Sequence, residues 1–172
     1  MTPTNTEAGA VIDGQYRYLL WRKWEPSKTS AAFIMLNPST ADAEADDPTI
    51  RRCIGYARNW GCGGIVVANL FAFRATDPGE LVKTADPVGP RNDSFLRELL
   101  EGDAQPVIAA LGSFPRAHWR AGEVSAIAKA VNAVVWCLDL TTRGYPRHPR
   151  YAEGHLLPRP FPWPPMPKGA MR

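Results

Sequence analysis

The sequence predicts an α/β fold of three layers, α/β/α, with a four-stranded, mainly parallel central sheet and one further strand at its N-terminal edge. Three observations carry this. Four short apolar runs, Ala31 to Leu36, Ile65 to Asn69, Val107 to Leu111 and Val134 to Leu138, have the length and continuity of strands buried on both faces. Helical patterns stand between them, and alternation of strand and helix favours one parallel sheet covered on both sides. Each run also stops at polar or glycine residues: Asn37, Asn69, Gly112 with Ser113, and the stretch leading to His148. In open α/β sheets ligands bind beyond the carboxyl ends of the strands, so these termini converge on one candidate edge.

In chain order, residues 1 to 15 read as a flexible N-terminus without a charged-then-apolar leader pattern. Tyr16 to Trp24 is rich in strand formers, and Glu25 to Ser30 reads as a turn, which places this strand antiparallel beside the central one. The central strand, Ala31 to Leu36, ends at Asn37-Pro38-Ser39-Thr40. Taken alone, that tetrapeptide is better read as a turn signal followed by a helix cap, and the other strand ends that stop in the same way are what raise it to a candidate site. Asp42 to Asp47 is an acidic loop whose default is a solvated one. A helix follows, with Asp47 as cap, Pro48 in the first position, an apolar stripe of Ile50, Cys53, Ile54 and Ala57, and Gly61 at its end. Arg51, Arg52 and Arg58 fall on its other faces.

After the second strand comes LFAFRATDP, then an irregular stretch from Leu81 to Pro90. A helix from about Asn92 to Glu101 is capped by Asn92 or Asp93. The third strand ends at Gly112-Ser113, Pro115 to Val131 supplies another helix, and the fourth strand leads to Thr141 and on to Tyr145-Pro146-Arg147-His148-Pro149-Arg150-Tyr151. Residues 16 to 157 form one α/β domain, and residues 158 to 172 a proline-rich tail whose Phe161 and Trp163 pack back onto the body.

Composition excludes little. A chain of 172 residues buries a real core without disulfides or metal. A net charge of +3 and a pI near 8.9 permit a polyanionic partner without forming a concentrated basic arm. Cys53, Cys62 and Cys137 lack metal-ligand spacing and read as reduced thiols in a cytoplasmic protein. No apolar run approaches bilayer length, so no membrane association is expected. Gly-x-Ser-x-Gly and the phosphate loop of the Walker type are absent, and Gly61-Cys62-Gly63-Gly64 precedes a strand where a dinucleotide fingerprint would follow one. No metal and no cofactor are expected.

What the strand ends can do is amide and imidazole chemistry. The carbonyl oxygen of Asn37 can orient a water, and Asn69 can offer donor and acceptor to the edge of a heterocycle. Phe71 or Phe73 can stack on a flat ring. His148 can donate to an oxygen that gains negative charge as a bond breaks. Together these suit hydrolysis of an N-glycosidic bond, with Pro38, Ser39 and Ser113 beside the substrate and Arg74, Arg143, Arg147 and Arg150 on phosphate. Each residue alone also has a plain structural reading: Asn37 as turn former, Asn69 as strand-end cap, Phe71 as core, His148 as a surface histidine.

The motifs LNPSTAD at Leu36 to Asp42, DPTIRRC at Asp47 to Cys53, NLFAFRATDP at Asn69 to Pro78, Asn92-Asp93 and PRHP at Pro146 to Pro149 resemble a bacterial and phage family known as domain of unknown function 1643. At greater distance, the order of landmarks resembles the uracil-DNA glycosylase superfamily. Leu36-Asn37-Pro38-Ser39 stands at that superfamily's water-activating loop, Val67-Ala68-Asn69-Leu70 with Arg74 at its second strand, Val107 to Gly112 at its third, and His148-Pro149-Arg150 at its His-Pro-Ser. Met35 or Leu36 replaces its glycine, Arg150 its serine, and its iron-sulfur cysteines are missing. The resemblance implies a glycosylase-like hydrolase acting on a modified or damaged base in DNA, with Asn37 and His148 catalytic. It is also compatible with a non-catalytic nucleic-acid or nucleotide-binding module, or with a hydrolase of a free nucleoside, nucleotide or related metabolite.

Overall fold

The computed structural model describes residues 6 to 163. Seven strands, β1 (Glu7–Asp13), β2 (Tyr16–Lys23), β3 (Ser30–Met35), β4 (Gly64–Asn69), β5 (Val107–Ala109), β6 (Val135–Cys137) and β7 (Arg159–Pro160), form one mixed sheet in the order β1-β2-β4-β3-β5-β6-β7. Three helices accompany it: α1 (Pro48–Asn59), α2 (Asn92–Glu101) and α3 (His118–Ala130). The pairings β4-β3, β3-β5 and β5-β6 are parallel, whereas β1-β2, β2-β4 and β6-β7 are antiparallel.

β3 shows why the sheet sits in the middle. All of Ala31 to Met35 is buried, because successive side chains enter cores on opposite faces. Ala31, Phe33 and Met35 meet Ile50, Cys53, Tyr56 and Ala57 of α1 on one face. Ala32 and Ile34 meet Leu96, Leu99 and Leu100 of α2 and Val124 and Ala128 of α3 on the other. α1 starts where its sequence says it should: the Asp47 carboxylate accepts from the Ile50 amide at 2.8 Å, and Pro48 follows in the first turn.

Several expectations need correction. The sheet has seven strands where four and one edge strand were expected, because Glu7–Asp13 and Arg159–Pro160 each add an antiparallel strand at an end. Residues 7 to 13 are therefore strand and not a flexible arm. Their place is secured by Gly9, over which the Trp21 ring lies so closely that an added Cβ would stand 2.2 Å from it. β2 lies beside β4, not beside β3, and β1 covers its outer edge. In the tail, Phe161 is buried against the α2 and α3 side of the sheet and Trp163 packs with it at 5.3 Å between ring centroids. Residues 164 to 172 of that tail, like residues 1 to 5, lie outside the described residues.

α2 begins at Asn92, but neither Asn92 nor Asp93 caps it. The Asn92 amide instead donates to the carbonyls of Asn69 and Leu70, at 3.0 and 2.9 Å, and Asp93 receives Arg120 from α3. Arg120 also donates to the Leu70 carbonyl at 2.8 Å, so two buried side chains hold the chain where it leaves β4. The stretch from Pro115 opens as a short 3-10 turn before α3. Among the described residues no helix is long and apolar enough to cross a membrane, and no cluster of three His, Cys, Asp or Glu side chains is grouped to hold a metal.

Candidate functional site

A cavity of about 600 Å³ opens at the edge where the parallel strands end. Its walls come from the loop after β3, the loops after β4 and β5, the first turn of α1, and the segment around His148. β2 contributes as well: it runs antiparallel to β4, so its first residues lie at the edge where β4 finishes.

Asn37 enters the cavity with a defined orientation. Its side-chain nitrogen donates to the Pro38 carbonyl at 3.0 Å and to the Ala75 carbonyl at 2.7 Å. Both partners are acceptors, which requires the NH₂ end there and leaves Oδ1 as the acceptor end of the amide.

His148 is defined in the complementary sense. Its Nδ1 accepts from the Arg150 amide at 3.2 Å, capping the 3-10 turn Pro149–Tyr151. In the neutral ring the proton then sits on Nε2, which makes that atom a donor. Neutrality is favoured because burial pushes the His148 pKa below its ordinary value of 6.5, an effect that Asp47 opposes and the Arg150 charge reinforces.

One face of α1 holds this segment in place. Arg52 donates to the carbonyls of Pro149 and Ala152; the Tyr56 hydroxyl lies 2.9 Å from the Ala152 carbonyl and 2.8 Å from that of Glu153. Asn59 reaches the Gly154 carbonyl at 3.0 Å and the Trp60 indole reaches that of Leu156 at 2.9 Å. Positions 52, 56, 59 and 60 share a face by helical spacing, so the residues after His148 are laid along α1 carbonyl by carbonyl. Arg52, read as solvated from sequence, is thus part of the support. Arg58 instead lies over the Trp24 ring at 5.0 Å.

Gly112, at the end of the third apolar run, donates to the Pro146 carbonyl at 2.9 Å with a φ of 71°. A side chain there would both strain the backbone and touch the His148 Cβ at 3.4 Å. Gly112→Ala is expected to lower stability by about 1–2 kcal/mol, measured by denaturant unfolding; an unchanged midpoint would refute the strain.

The structure brings Asn37, Ser39, Ser113, Arg147, His148 and Arg150 together around the cavity. Four other expected site residues stand elsewhere. Pro38 is buried and contributes its carbonyl to Asn37 and to the Ala75 amide. Asn69 is 1% exposed and does not line the cavity. Phe71 is a core residue, its ring 5.9 Å from that of Trp119, because the Leu70 and Phe71 amides bond back to Met35 and Leu36 and turn the side chain inward. Arg74 lies behind the wall, its Nε 3.5 Å from the Ser39 carbonyl. Arg147 is already engaged with Asp139 at 3.3 Å. Arg143 borders a separate hollow of about 70 Å³ next to His118 and Tyr145.

Among the cavity residues that escaped the sequence reading are Arg17, Asp47 as a wall residue, Phe114 and Tyr151. Half-buried Phe114 and exposed Tyr151 stand where Phe71 was expected to stack. Arg17 is 2% exposed and reaches the cavity because of a β-bulge. Val11 pairs with Leu19 but Ile12 with Arg17, leaving Tyr18 as the extra residue. Tyr18 therefore turns toward α2, stacking on Phe95 at 5.0 Å, and Arg17 takes the face shared by Leu20 and Arg22. Strict alternation would have sent Arg17 the other way. Arg17 and Arg22 also gather the acidic loop, through the carbonyls of Ala41 and Asp42 and the Asp46 carboxylate, so that loop is tied down on one side.

Fold and site together define a mixed α/β protein with a cavity of mixed polar and apolar lining at the carboxyl edge of its parallel strands. A family profile described as a protein of unknown function, DUF1643, matches residues 17 to 150, and the chain belongs to that family. No curated protein and no solved structure matches it.

Proposed function

We propose that the protein is a glycosylase-like hydrolase that cleaves the N-glycosidic bond of a nucleobase, with DNA as the source of that base. One observation carries the reading: Asn37, whose bonded Nδ2 leaves Oδ1 as acceptor, and His148, whose bonded Nδ1 leaves Nε2–H as donor, line the same cavity. Hydrolysis of this bond is helped by both, an acceptor for the attacking water and a donor to the leaving base. Water, oriented by Asn37, adds to the sugar carbon as it becomes cationic; the base leaves with the bonding electrons, His148 donates a hydrogen bond to the oxygen that takes up the charge, and the proton released by the added water passes through solvent to the departed anionic base. Phe114 and Tyr151 supply aromatic surface for the base, and Arg150, exposed at the rim, a charge for phosphate. The distant likeness of these loops to the uracil-DNA glycosylase superfamily points the same way. In a duplex the base would have to be flipped out, at about a few kcal/mol, least for a damaged one.

The test is incubation with oligonucleotides bearing modified bases, single- and double-stranded, followed by alkaline cleavage at abasic sites. Cleavage by the wild type and none by Asn37→Ala is the expected result. Salt-dependent binding with no abasic product from any substrate would favour a non-catalytic nucleic-acid module. Base release from free nucleosides alone would assign the cavity to a metabolite.

A further inference from the structure

Three arginines are buried among the described residues, and they are not treated alike. Arg22, 6% exposed, is paired with Asp46 at 2.8 Å; Arg120, fully buried, is paired with Asp93 at 2.5 Å and Glu123 at 2.9 Å. Arg17, 2% exposed, has no carboxylate within 4.0 Å among the described residues. It is also the one of the three that lines the cavity.

Its hydrogen bonds are as incomplete as its charge balance. Of the five N–H groups a guanidinium carries, one meets the Ala41 carbonyl at 2.8 Å and one the Asn69 Oδ1 at a long 3.4 Å. Nε is buried without a partner, and so is Nδ2 of Asn69 beside it. A buried charge is costly unless it is paired and hydrogen-bonded, and unpaired buried donors cost as well. Burial pulls the Arg17 pKa down to about 10, with Asp47, beyond pairing distance, opposing that shift, so the side chain still carries its charge at neutral pH. A β-bulge, a device that re-aims a side chain, is spent on putting this cation at the cavity wall.

We propose that Arg17 is the anchor of an oxyanion subsite in the cavity: the natural ligand carries a phosphate or carboxylate group that completes the guanidinium's charge and hydrogen bonds, as Asp46 does for Arg22 and as Asp93 does for Arg120. The carboxylate of Asp47 shares the cavity and limits the subsite to a group that Arg17 can reach first. The subsite is independent of bond cleavage, so it stands or falls apart from the hydrolase reading.

The experiment titrates inorganic phosphate, acetate and a nucleoside 5′-monophosphate, each against its neutral counterpart, into ¹⁵N-labelled full-length protein. Movement of the Arg17 Nε–Hε resonance and a rise in melting temperature are expected with at least one oxyanion at millimolar concentration. Phosphate acting and acetate not assigns a phosphate; the reverse assigns a carboxylate; a response only to the nucleotide assigns a nucleotide phosphate. Arg17→Met should abolish the thermal response, and Arg17→Lys should keep part of it. No movement of the Arg17 signal with any oxyanion, or an equal thermal response in Arg17→Met, overturns the proposal. If Arg17→Met does not fold, the wild-type resonance decides alone.

Discussion

Replacing His148 by alanine is expected to lower kcat on any oligonucleotide that releases a base by about 10²–10³-fold, the cost of removing one donor to a developing anion, with little change in KM. The split follows from the role: a donor to charge that appears only during bond breaking contributes little to substrate binding. Equal losses in binding and turnover would assign His148 to holding the substrate. The same residue sets a pH dependence. Its Nδ1 is occupied by the Arg150 amide, and protonation there would set one N–H against another beside the Arg150 charge. Turnover should therefore hold through the ordinary imidazole range and fall only as pH drops below 6.5 through the lower folded value. Stability follows the same sign. The unfolded chain takes up the proton first, so the contribution of neutral His148 is present above the unfolded pKa and is lost as pH falls through the folded one. His148→Ala should flatten that acid limb, seen in melting temperatures between about pH 7 and pH 5.

Arg120→Ala is expected to destabilise the protein by about 3–5 kcal/mol. The side chain is wholly buried between α2 and α3, and it donates to the Leu70 carbonyl just past β4. Truncation leaves a void and a buried carbonyl short of a donor. The carboxylates add less to the loss, since Asp93 is 61% exposed and Glu123 32% exposed and both can turn to water. Arg97→Ala, which removes only a loose surface pair with Glu101 at 3.9 Å, should cost about 0–1 kcal/mol. Urea unfolding of both variants checks the pair of values, and equal midpoints would mean that the buried arginine holds nothing in place.

The legible parts of this chain are those written in continuous local patterns. Apolar runs such as Ala31 to Leu36 need no partner to be recognised as strands buried on both faces, and Asp47-Pro48 announces α1 through its own capping chemistry. Asn37 and His148 were legible for a related reason: each stands at a chain stop, before or within a proline-bearing turn. β1 and β7 were not, because their residues carry little strand signal and acquire strand geometry from the neighbours they pair with. Arg52 looked like a solvated helix residue until a segment about a hundred positions later was laid against it.

The polypeptide alone dictated the alternating strands and helices and the start of α1, since each follows from near-neighbour residue types. Folding in three dimensions assigned the individual roles. It withdrew Asn69 and Phe71 into the interior, substituted Phe114 and Tyr151 as the aromatic wall, and by one extra residue at Tyr18 turned Arg17 into the cavity. The physical reason is that a side chain's direction depends on strand register and on what packs over it, and both are properties of distant segments meeting.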